Sequence, residues 1–379
     1  MIKQREDIRI ALPSKGLLAE PALELMARAG LRVHKPNPRQ YQASIPSLPA
    51  LTVIFQRPND IVVSVREGSV DFGITGWDVF SEHCHKDDGH SNDGHPYDGH
   101  RNDSAGRRRG RWLEQGGEGR RRGRRLEQNS EDRAILPLHK QLGFGHCTLN
   151  AIVPESWEKV ENMRDLKKHQ ERLKRPLRIA TKFPNLSRKF FDQHRYPDAA
   201  LITAEGTLEI APTVGYADLI VDLISTGTTL RDNRLKPLND GLILSSQACL
   251  VANRARLEQE PRVLAVARQL LEFIVAYLRA SENLALFANM RGESPQAIAQ
   301  KMFTKKVIRG LQGPTISPVI TQQGDTWFAV NLIVRKDQLA QAISELREVG
   351  GSGVVVTPVT YIFEEEPQEY REMLEALRC

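Results

Sequence analysis

Short apolar runs alternate with amphipathic segments along most of this chain. The runs typical of buried strands lie at residues 8–12, 51–56, 70–74, 177–180, 219–224 and 242–251. The amphipathic segments that predict helices lie at residues 18–29, 61–67, 185–194 and 262–287. Because strands and helices alternate, the pattern predicts an α/β fold with parallel or mixed sheets.

The tail of the chain has a pattern of its own. A Gly/Pro-rich stretch at residues 310–315 predicts a linker. After it, residues 326–334 alternate as a strand, residues 338–349 follow a helical period, and residues 354–358 form another apolar run. This strand–helix–strand order predicts a small α+β domain appended to the main body.

Residues 83–133 differ from the rest of the chain. Asp-Gly-His repeats at a period of five are followed by two similar Arg-rich blocks, R-R-R-G-R-W-L-E-Q and R-R-R-G-R-R-L-E-Q. Such a segment has too few apolar residues to offset its chain entropy by burial, which predicts a disordered surface loop. The alternatives are metal binding by the His/Asp repeats and polyanion binding by the Arg blocks.

Composition narrows the class of protein. The chain has 379 residues, of which 40% are hydrophobic and 26% charged, as is typical of globular proteins with two or three domains. No apolar run reaches the ~18–20 residues of a membrane span, and the charged N-terminus does not resemble a signal peptide. Four widely spaced cysteines predict reduced thiols in a cytoplasmic protein, with Cys147 and Cys249 as small core residues. The net charge of +6 fits anionic small-molecule ligands and does not require nucleic acid.

The segment 217–230, A-D-L-I-V-D-L-I-S-T-G-T-T-L, carries the clearest chemical signal. A buried strand bearing Asp218 and Asp222 ends in a loop rich in hydroxyl and backbone N–H groups, and a helix follows. Such a loop can bind a phosphate while the acid before it binds ribose hydroxyls. The alternative is a strand–turn–helix junction in which Ser225 or Thr229 caps the helix.

Other loops also place polar groups at the ends of predicted strands. Lys15, Gly76 and Lys182 follow strands, and Glu209 begins a helix-like run. Loops at the carboxyl ends of neighbouring strands converge, which favours one site for an anionic ligand. Taken singly, each residue also fits a solvated side chain, a tight turn or a first-turn charge. No Ser/His/Asp or Cys/His arrangement stands out, so covalent catalysis is not predicted.

Six segments together resemble the ATP phosphoribosyltransferase family. They are, in order, R-I-A-L-P-S-K-G at 9–16, V-D-F-G-I-T-G-W-D at 70–78, L-G-F-G-H-C at 142–147, A-T-K-F-P-N-L at 180–186, G-T-L-E-I-A-P at 206–212 and the segment 217–230. The tail, with V-N-L-I-V and G-G-S-G-V-V-V-T-P-V, is similar to the regulatory domain of the family's long form. The resemblance covers nearly the whole chain except residues 83–133.

The resemblance implies a fold and a division into domains. A two-lobed, periplasmic-binding-protein-like catalytic body of type II would span residues 1–308. Lobe I would comprise residues 1–147 and 241–308, and lobe II residues 148–240. A small α+β, ferredoxin/ACT-like regulatory domain of the histidine-binding type would span residues 309–379.

The resemblance also implies an activity, the first step of histidine biosynthesis. Phosphoribosyl would pass from phosphoribosyl pyrophosphate to N1 of ATP, and pyrophosphate would leave. Mg²⁺ would take part, held mainly by the substrate phosphates, and histidine would inhibit the enzyme through the tail domain. The protein would be a cytoplasmic homo-oligomer, a dimer or hexamer, with no membrane or nucleic-acid partner.

By position, the resemblance assigns roles to individual residues. The residues that would hold the 5-phosphate of phosphoribosyl pyrophosphate are Ser225, Thr226, Gly227, Thr228 and Thr229. Asp222 would bind the ribose hydroxyls, with Asp218 and Glu209 as further catalytic candidates. The residues that would line the nucleotide or pyrophosphate side are Lys15, Gly16, Arg57, Gly76 and Lys182.

Leu17 departs from the family pattern. The family commonly reads K-G-R or S-G-R, with the arginine reaching the nucleotide, and this chain reads K-G-L. An aliphatic side chain there removes a bidentate phosphate contact. Two other functions therefore stay open: a catalytically weak or regulatory paralogue on the same scaffold, and a polyanion-binding protein that uses the Arg-rich insert.

Overall fold

The computed structural model describes residues 7–37, 40–84, 134–204, 206–225, 227–310, 313–321 and 326–378. The predictions for residues 85–133, including metal and polyanion binding, lie outside the described residues, as does Thr226 of the predicted phosphate loop. His83 and Cys84, which begin the predicted insert, are instead the end of a helix.

The strands and helices alternate as the apolar pattern predicts. In chain order, the strands are β1 (Ile8–Pro13), β2 (Gln42–Ser44), β3 (Leu51–Gln56), β4 (Phe72–Gly76), β5 (Ile135–His139), β6 (Cys147–Pro154), β7 (Arg178–Thr181), β8 (Ala200–Thr203), β9 (Leu219–Ile224), β10 (Leu235–Ser246), β11 (Ala248–Asn253), β12 (Asn283–Arg291), β13 (Thr315–Val319), β14 (Trp327–Arg335) and β15 (Gly351–Pro358). The helices are α1 (Ala19–Arg28), α2 (Pro58–Arg66), α3 (Trp77–Cys84), α4 (Met163–Leu173), α5 (Pro184–Gln193), α6 (Ala211–Val214), α7 (Thr228–Asp232), α8 (Arg254–Gln259), α9 (Pro261–Ser281), α10 (Pro295–Phe303), α11 (Leu339–Glu348) and α12 (Gln368–Arg378). Within the described residues, no helix combines the length and the apolar character that crossing a membrane requires.

The chain divides into two compact units. The first, here called the site unit, comprises residues 10–19 and 55–256. The second, the tail unit, comprises residues 1–9, 20–54 and 257–379. The predicted phosphate loop and the other predicted strand-end loops therefore lie in one unit.

The site unit contains two α/β lobes. In lobe I, β1 and β4 run parallel, β11 is antiparallel to β4, and β5 is antiparallel to β11. In lobe II, the strand order is β10-β6-β9-β7-β8, with β7 parallel to β8 and β9, and β6 antiparallel to β9 and β10. Each sheet thus combines parallel strands with an antiparallel strand inserted among them. This arrangement confirms the predicted two-lobed α/β body.

The apolar run of β9 reflects burial on both faces of its sheet. Val221 packs in a cluster with Phe191 of α5, whereas its neighbour Ile220 packs in another cluster with Leu230 of α7. Successive side chains of a strand point to opposite faces, so helices on both faces require an unbroken run of apolar residues. The central strand of lobe II is held in place by this double burial.

Residues 242–251 do not form the single strand that the apolar run predicts. β10 ends at Ser246 and β11 begins at Ala248, and the two strands belong to different sheets. The chain crosses from lobe II to lobe I at Gln247. Periodicity does not mark this crossing, because both sides of it need the same buried, strand-forming side chains.

The predicted helix at residues 262–287 ends early. α9 stops at Ser281, and Asn283 begins β12, which pairs with β14 and β15. Asn283 donates from Nδ2 to the Arg279 carbonyl oxygen at 2.6 Å and so occupies the end of the helix. The apolar residues that follow alternate in the strand, and their composition alone does not separate them from the apolar helix before them.

The tail unit contains an antiparallel sheet in the order β13-β14-β12-β15. Its chain order, β12-α10-β13-β14-α11-β15, is that of a ferredoxin-like fold, as predicted. Leu286 and Met290 of β12 pack in one cluster with Ile298 of α10 and Leu346 of α11. β12 lies inside this sheet, so the tail sheet includes residues that precede the predicted domain boundary at residue 309.

Candidate functional site

A cleft with a volume of 500 Å³ lies between the two lobes of the site unit. Lobe I contributes the loop after β1, the start of α2 and the junction of β4 with α3, and lobe II contributes the loops after β7 and β9. The residues singled out in the sequence that line the cleft are Gly16, Leu17, Gly76, Lys182, Asp222 and Ser225. The structure therefore brings both predicted halves of the site together.

Three of these residues lie at the ends of strands. Gly76 is the last residue of β4, and Lys182 and Ser225 directly follow β7 and β9. Because β7 and β9 are parallel neighbours, their register places Lys182 next to Asp222. Ligands of α/β proteins bind at the carboxyl ends of strands in this way.

Asp222 is a partly buried carboxylate among charged neighbours. Burial raises the pKa of its carboxyl and nearby Glu209 adds to that rise, whereas the Leu223 amide and Lys182 oppose it. The Leu223 amide donates to Asp222 Oδ1 at 2.8 Å. Two carboxylates and one ammonium group thus act on one another beside the cleft, which is an arrangement suited to a polar ligand that carries both hydroxyls and phosphates.

The loop after β9 turns through a glycine. Gly227 occupies the N-cap of α7 with φ +73°, a conformation that favours glycine, and Thr228 and Thr229 open the helix. Neither Ser225 nor Thr229 is the N-cap residue, so the capping alternative does not describe this junction. The loop therefore presents hydroxyl groups together with the first amides of a helix.

The structure separates Asp218 from the cleft. It directly precedes β9, whereas the cleft lies at the far end of that strand. Arg175 donates two hydrogen bonds to the Asp218 carboxylate at 2.6 and 2.8 Å, and Arg178 donates from its side chain at 3.0 Å and its amide at 2.9 Å. Although burial alone would raise it, these arginines hold the pKa of the Asp218 carboxyl well below its usual range. Asp218 therefore forms an ion pair within lobe II and does not lie at the cleft, where a catalytic acid would have to be.

Two predicted cations lie outside the cleft lining. Lys15 and Arg57 are exposed, and the cleft is instead lined by their neighbours Gly16 and Pro58. The Leu17 side chain is 77% exposed and lines the cleft in the position where the family pattern has arginine. The lobe I side of the cleft is consequently less basic than the sequence motif predicts.

The sequence did not indicate the role of Asp78 or Cys147, which also line the cleft. The Ser246 hydroxyl donates to Asp78 Oδ1 at 2.6 Å, and burial raises the pKa of this carboxyl. A Cβ atom on Gly76 would lie 2.3 Å from the same oxygen, so a side chain there would displace the Asp78 carboxylate. Cys147 lines the cleft and is not the core residue predicted, whereas Cys249 is fully buried as expected.

Glu82 joins the two lobes. It lies on α3 of lobe I, and its carboxylate accepts hydrogen bonds from the amides of Asn185 at 2.8 Å and Leu186 at 3.0 Å in α5 of lobe II. Burial raises the pKa of Glu82 to about 7, and the two amides oppose that rise. The sequence shows only an acid on a helix, because the partner amides lie about a hundred residues away in the chain.

Comparison with known proteins agrees with this geometry. The family described as "ATP phosphoribosyltransferase" matches residues 125–276, and the family described as "HisG, C-terminal domain" matches residues 280–361. ATP phosphoribosyltransferase 2, chloroplastic, from Arabidopsis thaliana is 37% identical, with 98% of this chain and 81% of the relative covered. ATP phosphoribosyltransferase from Rhodopseudomonas palustris is 31% identical, with 97% of this chain and 98% of the relative covered.

The chain belongs to the ATP phosphoribosyltransferase family. Because both relatives extend over nearly the whole chain, the membership includes the strand-end loops before residue 125. A solved structure, the ATP phosphoribosyl transferase (HisG:HisZ) complex from Thermotoga maritima, is similar with a TM-score of 0.43 and 20% identity over 71% of this chain and 98% of that chain.

The candidate ligands for a metal ion are carboxylates beside the cleft. Within the part of the chain that the structure describes, no three His, Cys, Asp or Glu side chains are grouped so as to hold a metal ion. Asp222 and Glu209 are the carboxylates beside the predicted ribose position. Mg²⁺ is commonly bound by one or two carboxylates together with substrate phosphates, and this donor set fits that mode.

The Glu82 carboxyl predicts a pH-dependent contribution to stability. Its pKa is raised from an ordinary value of 4.5 to about 7, so the folded protein holds this proton more tightly than the unfolded chain. The stability it contributes is fully present below pH 4.5 and is lost as the pH rises through 7. We expect the free energy of unfolding of the natural protein, relative to Glu82→Gln, to fall by up to about 3 kcal/mol across this range.

Urea unfolding at a series of pH values measures that difference. Glu158→Gln replaces an exposed acid of lobe II and is the matched control, whose pH profile should run parallel to that of the natural protein. If the profile of Glu82→Gln also runs parallel to that of the natural protein, burial does not raise the pKa of the Glu82 carboxyl.

Proposed function

We propose that this chain transfers the phosphoribosyl group of phosphoribosyl pyrophosphate to N1 of ATP and releases pyrophosphate, the first step of histidine biosynthesis. The observation that carries the proposal is the position of Asp222. This carboxylate lies two residues before the end of β9, close to the Ser/Thr/Gly loop, and lines the same cleft as Gly16 and Gly76 of lobe I. A ribose could therefore bind at the carboxylate, with its 5-phosphate toward the Ser/Thr/Gly loop and its reacting carbon toward lobe I.

Lobe II would bind the phosphoribosyl half. Asp222 accepts hydrogen bonds from the ribose hydroxyls, with Glu209 beside it. The hydroxyls of Ser225, Thr228 and Thr229, the turn at Gly227 and the first amides of α7 surround the 5-phosphate, and Thr226 belongs to the same loop by sequence. A helix start and consecutive backbone amides favour an anion at this position.

The reaction would need positioning and charge compensation instead of a protein nucleophile. N1 of adenine attacks the anomeric carbon, the bond from that carbon to pyrophosphate breaks, and positive charge develops on the ribose in the transition state. The Asp222 carboxylate stabilises that charge, and Lys182 neutralises charge on the departing pyrophosphate. When bound, Mg²⁺ would supply further charge neutralisation on the phosphates that hold it.

Lobe I would bind the nucleotide half. Gly16 and Gly76 allow close approach of the ligand, and Lys15 and Arg57 would reach it from the cleft rim. Leu17 supplies apolar contact where the family pattern has a guanidinium. A catalytically weak or regulatory paralogue is the second candidate function, because the exposed Leu17 side chain removes a bidentate phosphate contact.

Regulation, assembly and location complete the proposal. The ferredoxin-like domain would bind histidine and inhibit the enzyme, and the chain would form a dimer or hexamer. We retain the cytoplasm as the expected compartment, although the two Arabidopsis relatives carry "chloroplastic" in their names. Polyanion binding through the Arg-rich insert stays a hypothesis of the sequence.

Substitution of Asp222 tests the proposed chemistry. We expect Asp222→Asn to lower kcat for phosphoribosyl-ATP formation by roughly 100-fold, because a neutral amide stabilises the developing ribose charge poorly. Product is measured chromatographically after incubation with both substrates and Mg²⁺. Asp198→Asn, at an exposed acid of lobe II, is the control and should retain full activity.

Asp218→Asn tests whether Asp218 has a structural role where Asp222 has a catalytic one. It should lower the free energy of unfolding by about 1–3 kcal/mol because Arg175 and Arg178 lose an ionised partner, and kcat should change by less than about threefold. The absence of product from folded natural protein, together with absent binding of phosphoribosyl pyrophosphate, would reject the transferase.

Substitution of Leu17 distinguishes the two candidate functions. If the missing guanidinium limits the enzyme, Leu17→Arg should raise kcat/KM for ATP about tenfold, because a charge-assisted bidentate contact is restored. Leu17→Lys is the control, since it adds charge without the planar fork and should give a smaller gain. An unchanged kcat/KM in Leu17→Arg, with a fully active parent, would reject the weak-paralogue hypothesis.

Histidine inhibition tests the role of the tail domain. Adding L-histidine to the full chain should lower the rate of phosphoribosyl-ATP formation, and calorimetry should detect its binding. L-arginine is the control amino acid and should have neither effect. Uninhibited turnover at saturating histidine would remove histidine from the proposal.

A further inference from the structure

Glu82 supplies the hydrogen-bond acceptor for the first amides of α5. α5 begins at Pro184, which has no amide hydrogen, so Asn185 and Leu186 carry the first amides that need an acceptor. The residue before the helix is Phe183, whose side chain has no acceptor atom. The Glu82 carboxylate, from the other lobe, accepts from both amides at 2.8 and 3.0 Å.

A third hydrogen bond adds to the same contact. Asn185 donates from Nδ2 to the backbone carbonyl oxygen of Glu82 at 3.0 Å. α5 is therefore attached to α3 through both the side chain and the backbone of Glu82. With only 7% of its surface exposed, Glu82 is largely shielded from water, which would otherwise compete for these hydrogen bonds. We call this set of three hydrogen bonds the interlobe contact.

The interlobe contact lies beside the groups proposed to act on the two substrates. Lys182 and Phe183 line the cleft and immediately precede α5. On the other side, Gly76 and Asp78 line the cleft at the start of α3, the helix that carries Glu82. A change in the interlobe contact thus moves cleft residues of one lobe relative to those of the other.

Stabilisation of α5 alone does not require an acid from another lobe. A Ser, Thr, Asp or Asn directly before a helix supplies the usual acceptor, within the same lobe and without burying a distant charge. An acceptor from lobe I instead makes the start of α5 dependent on the position of α3. The contact therefore couples the lobes, and a local cap would not.

We propose that Glu82 is a positioning residue whose interlobe contact sets the placement of the phosphoribosyl half of the cleft against the nucleotide half. The assignment of these halves rests on the proposed function. Glu82 also lines the cleft, but its carboxylate is engaged by the Asn185 and Leu186 amides, so in this proposal it acts through α5 on Lys182 and through α3 on the lobe I wall. Loss of the contact should impair alignment of the two substrates more than binding of either one.

Hydrogen exchange tests the contact without reference to any activity. At a pH above 7 the Glu82 side chain is ionised and both of its oxygens accept. Under these conditions Glu82→Gln keeps the shape but turns one acceptor oxygen into an amide donor that faces a backbone N–H. We expect the amides of Asn185 and Leu186 to exchange at least about tenfold faster than in the natural protein, with faster exchange in residues 77–84 as well. Glu158→Gln is the control and should leave both segments unchanged. Unchanged exchange in Glu82→Gln would overturn the proposal, and faster exchange confined to α5 would reduce the contact to a helix cap.

Steady-state kinetics test the positioning role. We expect Glu82→Gln to lower kcat about tenfold while KM for phosphoribosyl pyrophosphate changes by less than about threefold, because the residues proposed to hold its phosphoribosyl group all lie within lobe II. Glu82→Asp keeps both acceptor oxygens on a shorter side chain and should recover part of kcat. An unchanged kcat in Glu82→Gln that has lost amide protection would overturn the positioning role. A parent chain without transferase activity would instead reject the proposed function, and the exchange experiment would still decide whether Glu82 couples the lobes.

Discussion

The cleft depends on backbone pairing between the strands that cross from lobe to lobe and the strands that carry the site. Ala248, at the start of β11, pairs with Gly76 at the end of β4. Asn150 of β6 pairs with Asp222 near the end of β9. Because a shift of register by one residue would turn every side chain to the opposite face, this pairing determines where Gly76 and Asp222 lie. The segments that connect the lobes therefore also position the chemistry.

Buried carboxylates distinguish this cleft from an ordinary interlobe groove. Asp78 accepts a hydrogen bond from the Ser246 hydroxyl, and Glu82 accepts from two amides of the other lobe. The charges of Lys182 and Glu209 act on Asp222 in opposite directions. Removing a carboxylate from water is costly unless hydrogen bonds or a cation replace the lost hydration. Hydrogen bonds fill that role for Asp78 and Glu82. Neither acid therefore needs Lys182 as a partner, and Lys182 lines the cleft. Electrostatic catalysis of phosphoribosyl transfer uses such fixed charges and needs no protein nucleophile.

The two acids of the 217–230 segment show how far sequence reasoning reached. The pattern identified the buried strand, its phosphate-type loop and both acids, and β9 has the predicted bounds. Asp218 and Asp222 are four residues apart, so both point to the same face of the strand but are separated by about 13 Å along it. The alternation of side chains along the strand does not show which of the two acids lies at the cleft. Of the arginines that bind Asp218, Arg175 precedes the parallel neighbour β7 and Arg178 is its first residue. Only the folded sheet brings them to the start of β9.

The sequence by itself determined the α/β class, the strand-end loops and the appended α+β domain, because each depends on local periodicity and on loop residues next to a strand. Only the tertiary structure decided that residues 242–251 divide between two sheets, that β12 belongs to the tail sheet, and that Glu82 joins the lobes. Local periodicity reports whether a side chain is buried, but it does not report which distant segment buries it. The partners of Glu82, Asp218 and β12 are all distant in the chain, so they became known only once the sheets were assembled.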